Sequence, residues 1–159
     1  MASHSSHAWS EEAAAAIVQA HAGEEGPLLP ILHDIQETFG VVSDTAVAYL
    51  AQALNLTRAE VHGVVSFYHD FRKTPAGRKV VKLCRAEACQ ARGGRAVQAR
   101  VEAALGVVMG ETTKDGAVTL EPVYCLGLCA SGPAALVDGQ PLARLTGARL
   151  ETLIAEARS

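Results

Sequence analysis

The stretch "KVVKLCRAEAC" runs from Lys79 to Cys89 and decides how the second half of this chain folds. Its first six residues are rich in β-branched and apolar side chains, which predicts a short strand that leads directly into Cys84. Cys89 follows after four intervening residues. The predicted strand therefore delivers two thiols to one loop at its carboxyl end.

A second pair of cysteines follows another predicted strand. The segment "GAVTLEPVYC" (116–125) has the composition of a strand and ends at Cys125, and Cys129 follows after three intervening residues. If the two strands lie in one sheet, their loops meet at one edge and gather four thiols. Four thiolates suit soft metals, either a tetrahedral zinc ion or the two irons of a [2Fe–2S] cluster.

The spacing within the pairs favours the cluster but leaves alternatives open. Structural zinc is usually held by tighter turns, mostly with two residues between the cysteines. A dithiol oxidoreductase of the thioredoxin kind normally has Cys-x-x-Cys at a helix N-terminus, and neither pair has that spacing. Four buried free cysteines are a further alternative. The six histidines all precede the cysteines, and none is expected to be a metal ligand.

Glycines and arginines accompany both cysteine pairs. Because glycine permits close approach of the backbone, four glycines are predicted to turn amides toward sulfur: Gly93, Gly94, Gly127 and Gly132. Nearby cations should raise the reduction potential of an anionic cluster. Three arginines are candidates for that role: Arg85, Arg92 and Arg95.

The rest of the chain predicts a helical first half and an α/β second half. Four short amphipathic helices are predicted over 10–23, 27–40, 43–55 and 57–68, with Ser10, Ser43 and Thr57 as N-caps. A further helix (95–106) separates the two strands, and a hairpin with Asp138-Gly139 at its turn precedes a C-terminal helix. The predicted organisation is a disordered tail (1–9), a helical bundle (10–75) and an α/β domain (76–159).

Composition and charge exclude several classes of function. Residues 1–78 carry four basic and nine acidic side chains, and residues 79–159 carry ten basic and eight acidic ones. Neither half has a basic cluster interleaved with aromatic residues, so no nucleic-acid partner is expected. No signal peptide and no apolar run of about 18 residues is present, so a cytoplasmic protein without membrane insertion is expected. No nucleotide-binding motif or catalytic set emerges, so no residue is predicted to be catalytic.

Five segments together resemble the thioredoxin-like [2Fe–2S] ferredoxin family, which includes the 24-kDa-type subunit of respiratory complex I and relatives in soluble NAD-linked hydrogenases and formate dehydrogenases. They are "LLPILHDIQETFG", "GVVSFYHDF", "LCRAEACQARGG", "GETTKDGAVTLEPVYCLGLC" and "GPAALVDG". The resemblance implies an α/β fold with a thioredoxin-like [2Fe–2S] domain after a small N-terminal helical bundle. It also implies one [2Fe–2S] cluster, with Cys84 and Cys89 on one iron and Cys125 and Cys129 on the other.

Within the family, "CRAEACQA" and "CLGLCASGPAAL" are most similar to the gamma subunit of NAD-dependent formate dehydrogenase. That similarity implies a non-catalytic electron-transfer subunit that exchanges single electrons with an FMN- and NADH-binding flavoprotein subunit. Further iron–sulfur and molybdopterin subunits would complete the assembly. The alternatives are the equivalent subunit of complex I or of a bidirectional NAD-linked hydrogenase, and, from other classes, a zinc-stabilised adaptor or a dithiol oxidoreductase.

Overall fold

The structure is a computed structural model that describes residues 8–158. The chain divides into two compact units between Pro75 and Ala76. Residues 1–7 of the predicted tail lie outside the described residues. Trp9, the last residue of that predicted tail, packs its ring against Phe39 with centroids 5.0 Å apart. The packed part of the first unit therefore includes Trp9.

The first unit is built from four helices, three of which begin at side-chain caps. They are α1 (Glu11–Ala20), α2 (Leu28–Phe39), α3 (Asp44–Ala53) and α4 (Arg58–Phe67). The hydroxyls of Ser10 and Ser43 accept hydrogen bonds from the amides three residues later, and Thr57 forms a capping box with Glu60. These bonds confirm the three predicted N-caps. They stabilise the helices because the first amides of a helix have no partner inside it.

The core of this unit is aliphatic and centres on α2. Ile31, Leu32 and Ile35 are fully buried on one side of α2 and meet buried residues of the other helices. Gln36 ties the segment after α4 to this helix: its Nε2 donates to the Asp70 carbonyl oxygen at 2.7 Å and its Oε1 accepts from the Arg72 amide at 2.6 Å. The helices thus share a common core, and the Gln36 side chain ties the segment after α4 to α2.

The second unit contains a four-stranded mixed sheet. Its elements are β1 (Lys79–Cys84), α5 (Glu87–Ala91), α6 (Gly94–Leu105), β2 (Val118–Val123), a single 3₁₀ turn (Cys129–Ser131), β3 (Ala134–Val137), β4 (Gln140–Ala143) and α7 (Ala148–Arg158). The strand order is β2-β1-β3-β4, with β1 and β2 parallel and the other pairs antiparallel. The mixed sheet with its helices is the predicted α/β fold of this half of the chain.

The parallel register of β1 and β2 brings their carboxyl ends together. Cys84 lies opposite Val123, so the loops that leave the two strands start from neighbouring positions. Val81 and Leu120 are fully buried with residues of α6 and α7, which form the main core of this unit. Cys84 belongs to a separate small cluster of buried residues, in keeping with the alternation of side chains along a strand.

Three local features differ from the sequence-based expectation or refine it. The sequence does not predict α5, because five residues are too few for a periodic pattern. Strand β2 ends at Val123 rather than at Cys125, since Cys125 adopts a left-handed backbone with φ of 74° that cannot continue a strand. The hairpin at Asp138-Gly139 is confirmed, with positive φ at both residues.

No helix in residues 8–158 is long and apolar enough to cross a bilayer.

Candidate metal centre

Four cysteines lie at the carboxyl ends of β1 and β2, each on a different local element. Cys84 is the last residue of β1, and Cys89 lies in α5. Cys125 follows β2 by two residues, and Cys129 begins the 3₁₀ turn. All four are free thiols. The structure therefore brings together all four residues that the sequence singled out.

The thiols form two pairs that are linked through the backbone. The Sγ atoms of Cys125 and Cys129 are 3.7 Å apart, and the thiols of Cys84 and Cys89 interact directly. The amides of Cys125 and Leu126 donate to the Cys84 sulfur, which joins the second loop to the first pair. One site thus contains both pairs.

The two pairs differ in their exposure to solvent. Cys84 and Cys89 are buried, with exposed fractions of 6% and 2%, whereas Cys125 and Cys129 are exposed. The buried pair packs with Ala134 and the partly buried side chains around it. The site therefore has an inner side within the protein and an outer side that faces solvent.

Backbone amides lower the pKa of Cys84. Burial alone would raise this pKa, but hydrogen bonds from the Ala86 amide, the Cys89 thiol and the amides of Cys125 and Leu126 outweigh burial, and the pKa of Cys84 lies below its ordinary value. Amides that donate to sulfur stabilise the thiolate, which is the form that binds metals. The loop after β2 therefore prepares Cys84 to act as a ligand.

The pKa values of the Cys89 and Cys129 thiols are raised. For Cys89 the causes are burial and the interaction with Cys84, partly offset by a hydrogen bond from the Ala134 amide. For Cys129 the causes are its hydrogen bond with the Cys125 thiol and the electrostatic repulsion from Cys125. Several thiolates so close together repel one another, and a bound cation removes that repulsion.

The predicted role of the glycines is wrong for two of them. The amides of Gly93 and Gly132 donate to the carbonyl oxygens of Gln90 and Cys129 rather than to sulfur. Gly132 instead permits close packing, since a Cβ at this position would lie 3.1 Å from the Cys89 sulfur. The amides that donate to sulfur include those of non-glycine residues. The sequence cannot identify such donors, because every residue except proline has a backbone amide N–H.

Gly94 also serves close packing. A Cβ on this residue would lie 2.7 Å from the carbonyl oxygen of Cys89, closer than side chains tolerate. The absence of a side chain lets α6 begin directly against α5. Gly94 thus fixes the position of the Cys89 backbone. Donation to sulfur by the amides of Gly94 and Gly127 stays a prediction.

The three candidate arginines take different positions. Arg92 donates from Nε to the Gly132 carbonyl oxygen at 3.0 Å, so its side chain lies beside Cys89. Arg85 follows Cys84 directly, and its Nε is buried with no hydrogen-bond partner among the described residues. Arg95 is exposed in the first turn of α6. Arg92 is therefore the arginine whose contacts connect it to the cysteine site.

The arrangement of the four thiols suits a cluster of two irons. The cysteines are arranged as two pairs joined by shared amides. A [2Fe–2S] cluster takes four thiolates over two irons, whereas zinc takes all four at one centre. The four cysteines could accordingly hold a binuclear cluster.

The family model for thioredoxin-like [2Fe–2S] ferredoxins matches residues 14–158. The chain belongs to this family. The predicted family resemblance is confirmed, and the cofactor of this ferredoxin-like chain is one [2Fe–2S] cluster. The match begins within α1 and includes the other three helices of the first unit as well as the sheet.

Similar proteins come from NADH-linked oxidoreductases. The chain is 35% identical over 120 residues to the E-type subunit of NADH-quinone oxidoreductase from Escherichia coli (strain K12), and the alignment covers 76% of this chain and 72% of the relative. It is 33% identical over 143 residues to the corresponding subunit from Mycobacterium bovis, where the alignment covers 90% of this chain and 57% of the relative.

A solved structure shows the same fold at 30% sequence identity. The crystal structure of an air-oxidised NAD⁺-reducing [NiFe]-hydrogenase matches 83% of this chain with a TM-score of 0.71. The chain spans 23% of the length of that hydrogenase chain. These similarities support the alternatives, complex I or an NAD-linked hydrogenase, better than the predicted assignment to formate dehydrogenase.

Proposed function

We propose that this chain is the electron-transfer subunit of an NADH-linked oxidoreductase and exchanges single electrons with a flavoprotein subunit through its [2Fe–2S] cluster. The observation that carries the proposal is the meeting of two thiol pairs at one end of the sheet in a chain of this family. The cluster supplies one-electron redox chemistry when bound. The protein supplies ligands, hydrogen bonds and a partly buried setting.

In this proposal Cys84 and Cys89 would hold one iron of the cluster, and Cys125 and Cys129 would hold the other. The amides that donate to Cys84 and the Ala134 amide that donates to Cys89 offset negative charge on the inner thiolates. Since hydrogen bonds to sulfur stabilise the more negative, reduced state, they raise the reduction potential. The positive charge of Arg92 acts in the same direction.

The exposed pair is the side at which electrons pass to and from a partner. Cys125 and Cys129 are exposed, and the neighbouring Tyr124 side chain is 70% exposed. Exposed aromatic residues are enriched in the core of protein interfaces. We therefore place the flavoprotein subunit at the loop formed by residues 124–131.

Metal analysis of the anaerobically purified chain tests the cluster. About two irons per chain, a visible band that dithionite bleaches and an EPR signal in the reduced state are expected. One zinc per chain in a colourless protein would support the zinc-stabilised adaptor, and a metal-free protein with a reversible disulfide would support the dithiol oxidoreductase. Either result would overturn the proposal.

Substitution of a single ligand tests the assignment of the four cysteines. Cys125→Ser should lower the iron content or change the reduced EPR signal, since serine replaces a thiolate ligand. Ala130→Ser is the matched control because it adds a serine to the same exposed loop and leaves every thiol in place. Unchanged iron and EPR signal in Cys125→Ser would remove Cys125 from the ligand set.

The parent complex is proposed to be an NADH–quinone oxidoreductase or an NAD-linked hydrogenase, on the strength of the similar proteins. The test is to isolate the native complex through this chain and to measure quinone reduction by NADH and NAD⁺ reduction by hydrogen and by formate. Activity with quinone or hydrogen is expected. Activity with formate alone would overturn this assignment and restore the formate dehydrogenase interpretation.

A further inference from the structure

A surface pocket of about 440 Å³ lies beside the cysteine site, and of its lining residues only Arg92 has a part in the proposed electron transfer. Arg92, Gly132, Pro133, Arg144 and Thr146 line it. The lining includes two guanidinium groups and no carboxylate. A concave surface with two positive charges and no negative one has the charge of an anion site.

The two arginines have donors to spare. Arg92 uses Nε to donate to the Gly132 carbonyl oxygen at 3.0 Å, and its terminal amino groups have no partner within residues 8–158. Arg144 forms no side-chain hydrogen bond or ion pair in the described part of the chain. By contrast, Arg100 forms a two-point contact with Glu151. The pocket therefore keeps its positive charge uncompensated.

The backbone holds Arg144 in an unfavourable conformation at the rim of this pocket. Its φ is 55°, a left-handed value that side chains other than those of Asn and Asp rarely adopt. Its amide donates to the Ser131 carbonyl oxygen at 2.7 Å, and the next residue, Leu145, is buried and donates to the Pro133 carbonyl oxygen. Such conformations persist where surrounding contacts enforce them, and they cluster at functional sites.

We propose that this pocket binds an oxyanion, either free phosphate or the carboxylate of a small organic acid. A guanidinium donates two parallel hydrogen bonds to such a group, which is why arginine predominates in carboxylate and phosphate recognition. Arg92 and Arg144 supply two guanidinium groups, and the hydroxyl of Thr146, which has no partner among the described residues, supplies a further donor. The site does not require the cluster, so it goes beyond the proposed function.

A bound anion would influence the cysteine site because Gly132 belongs to both. From the position of a Cβ on Gly132, the Cys89 sulfur is 3.1 Å away and the Cδ of Arg92 is 3.5 Å away. Negative charge in the pocket disfavours the addition of an electron to the cluster. Whichever of the two anions binds should therefore lower the reduction potential, a consequence that rests on the proposed function.

Calorimetric titration of the iron-loaded full-length chain with sodium phosphate and, separately, with sodium acetate tests the site at constant ionic strength. Saturable one-to-one binding of at least one anion is expected, and the anion that binds more tightly identifies the ligand class. Arg92→Gln and Arg144→Gln should each weaken binding by about tenfold or more. The absence of saturable binding for both anions would overturn the proposal.

Two further variants separate a specific site from other effects. Arg144→Gly removes the guanidinium and suits the left-handed backbone, so it should abolish binding while the protein melts at or above the wild-type temperature. Arg58→Gln removes one positive charge from an exposed position in α4 and should bind as the wild type does. Equal weakening in Arg58→Gln would show diffuse charge attraction and would overturn the site.

Iron content and the reduced EPR signal are measured on the same samples. A protein with full iron that binds neither anion would overturn the anion site and leave the proposed function unaffected. A protein that binds an anion but contains no iron would support the anion site and overturn the proposed function. The midpoint potential of the wild type should fall as the anion that binds more tightly saturates the pocket, and it should stay constant in Arg144→Gly. A potential that does not move in the wild type would refute the coupling between pocket and cluster.

Discussion

Gly94→Ala tests how closely α6 packs against α5, the short helix that carries Cys89. A methyl group at this position would lie 2.7 Å from the Cys89 carbonyl oxygen and 3.0 Å from its carbonyl carbon. Both obstacles are backbone atoms, so no side-chain rotation can relieve the contact. The start of α6 or the peptide of Cys89 has to move, and the cysteine site is distorted with it.

The expected loss of stability follows from two opposing contributions. Overpacking of a well-packed site costs about 1–3 kcal/mol, whereas alanine in place of glycine in a helix gains up to about 1 kcal/mol. Because both obstacles are backbone atoms, the cost lies in the upper part of its range, at about 2–3 kcal/mol, and the net expectation is a loss of about 1–3 kcal/mol. For a unit of this size each kcal/mol lowers Tm by about 4–8 °C. Iron content should fall as well, because Cys89 is displaced from its place beside Cys84.

Thermal unfolding followed by circular dichroism measures the first effect, and iron analysis of the purified variant measures the second. Gly63→Ala in α4 is the matched control, because a Cβ there meets no atom within 4 Å and the same change should stabilise its helix by about 0.5–1 kcal/mol. The two variants should therefore change stability with opposite signs. A Gly94→Ala protein with wild-type Tm and full iron would refute the reasoning.

Two predictions concern the helical unit. Gln36→Ala should lower the free energy of unfolding by about 1–3 kcal/mol in denaturant titration, since it removes hydrogen bonds to two backbone groups. The control Gln52→Ala, at an exposed position of α3, should change that free energy by less than about 0.5 kcal/mol. Equal effects of the two substitutions would exclude the bridging role of Gln36. Hydrogen bonds to Asp34 and then Glu24 raise the pKa of His21. The contribution of His21 to stability should therefore be complete below about pH 6.5 and be lost as the pH rises through the raised pKa of His21. The Tm of the wild type should exceed that of His21→Gln most at about pH 5.5 and least at about pH 9. A constant difference would contradict the assignment.

Much of the local structure follows from neighbouring residues and was predictable. Serine or threonine at the N-caps and the pair Asp138-Gly139 act within a few positions along the chain, so their effects are visible in the sequence. The ligand candidates were predictable for a similar reason. The spacing of each cysteine pair is local, and the chain contains no other cysteine.

The interaction of His21 with Asp34 is not predictable from the sequence because it joins two helices. The His21 Nε2 lies 2.7 Å from the Asp34 carboxylate, across a separation of thirteen positions. Neither residue belongs to a periodic pattern or a motif. A contact of this kind depends on how α1 packs against α2, which the sequence specifies only through the whole core of the unit.

The sequence by itself determined the helices other than α5, the strands, the hairpin and the two cysteine pairs, because each depends on side chains close together along the chain. Tertiary structure alone decided which amides reach the Cys84 sulfur, since Cys125 and Leu126 arrive there only through the parallel register of β1 and β2. It also decided that Arg92 and Arg144 line one pocket. Backbone amides and unpaired charges look alike everywhere in a sequence, and only their positions in the fold distinguish them.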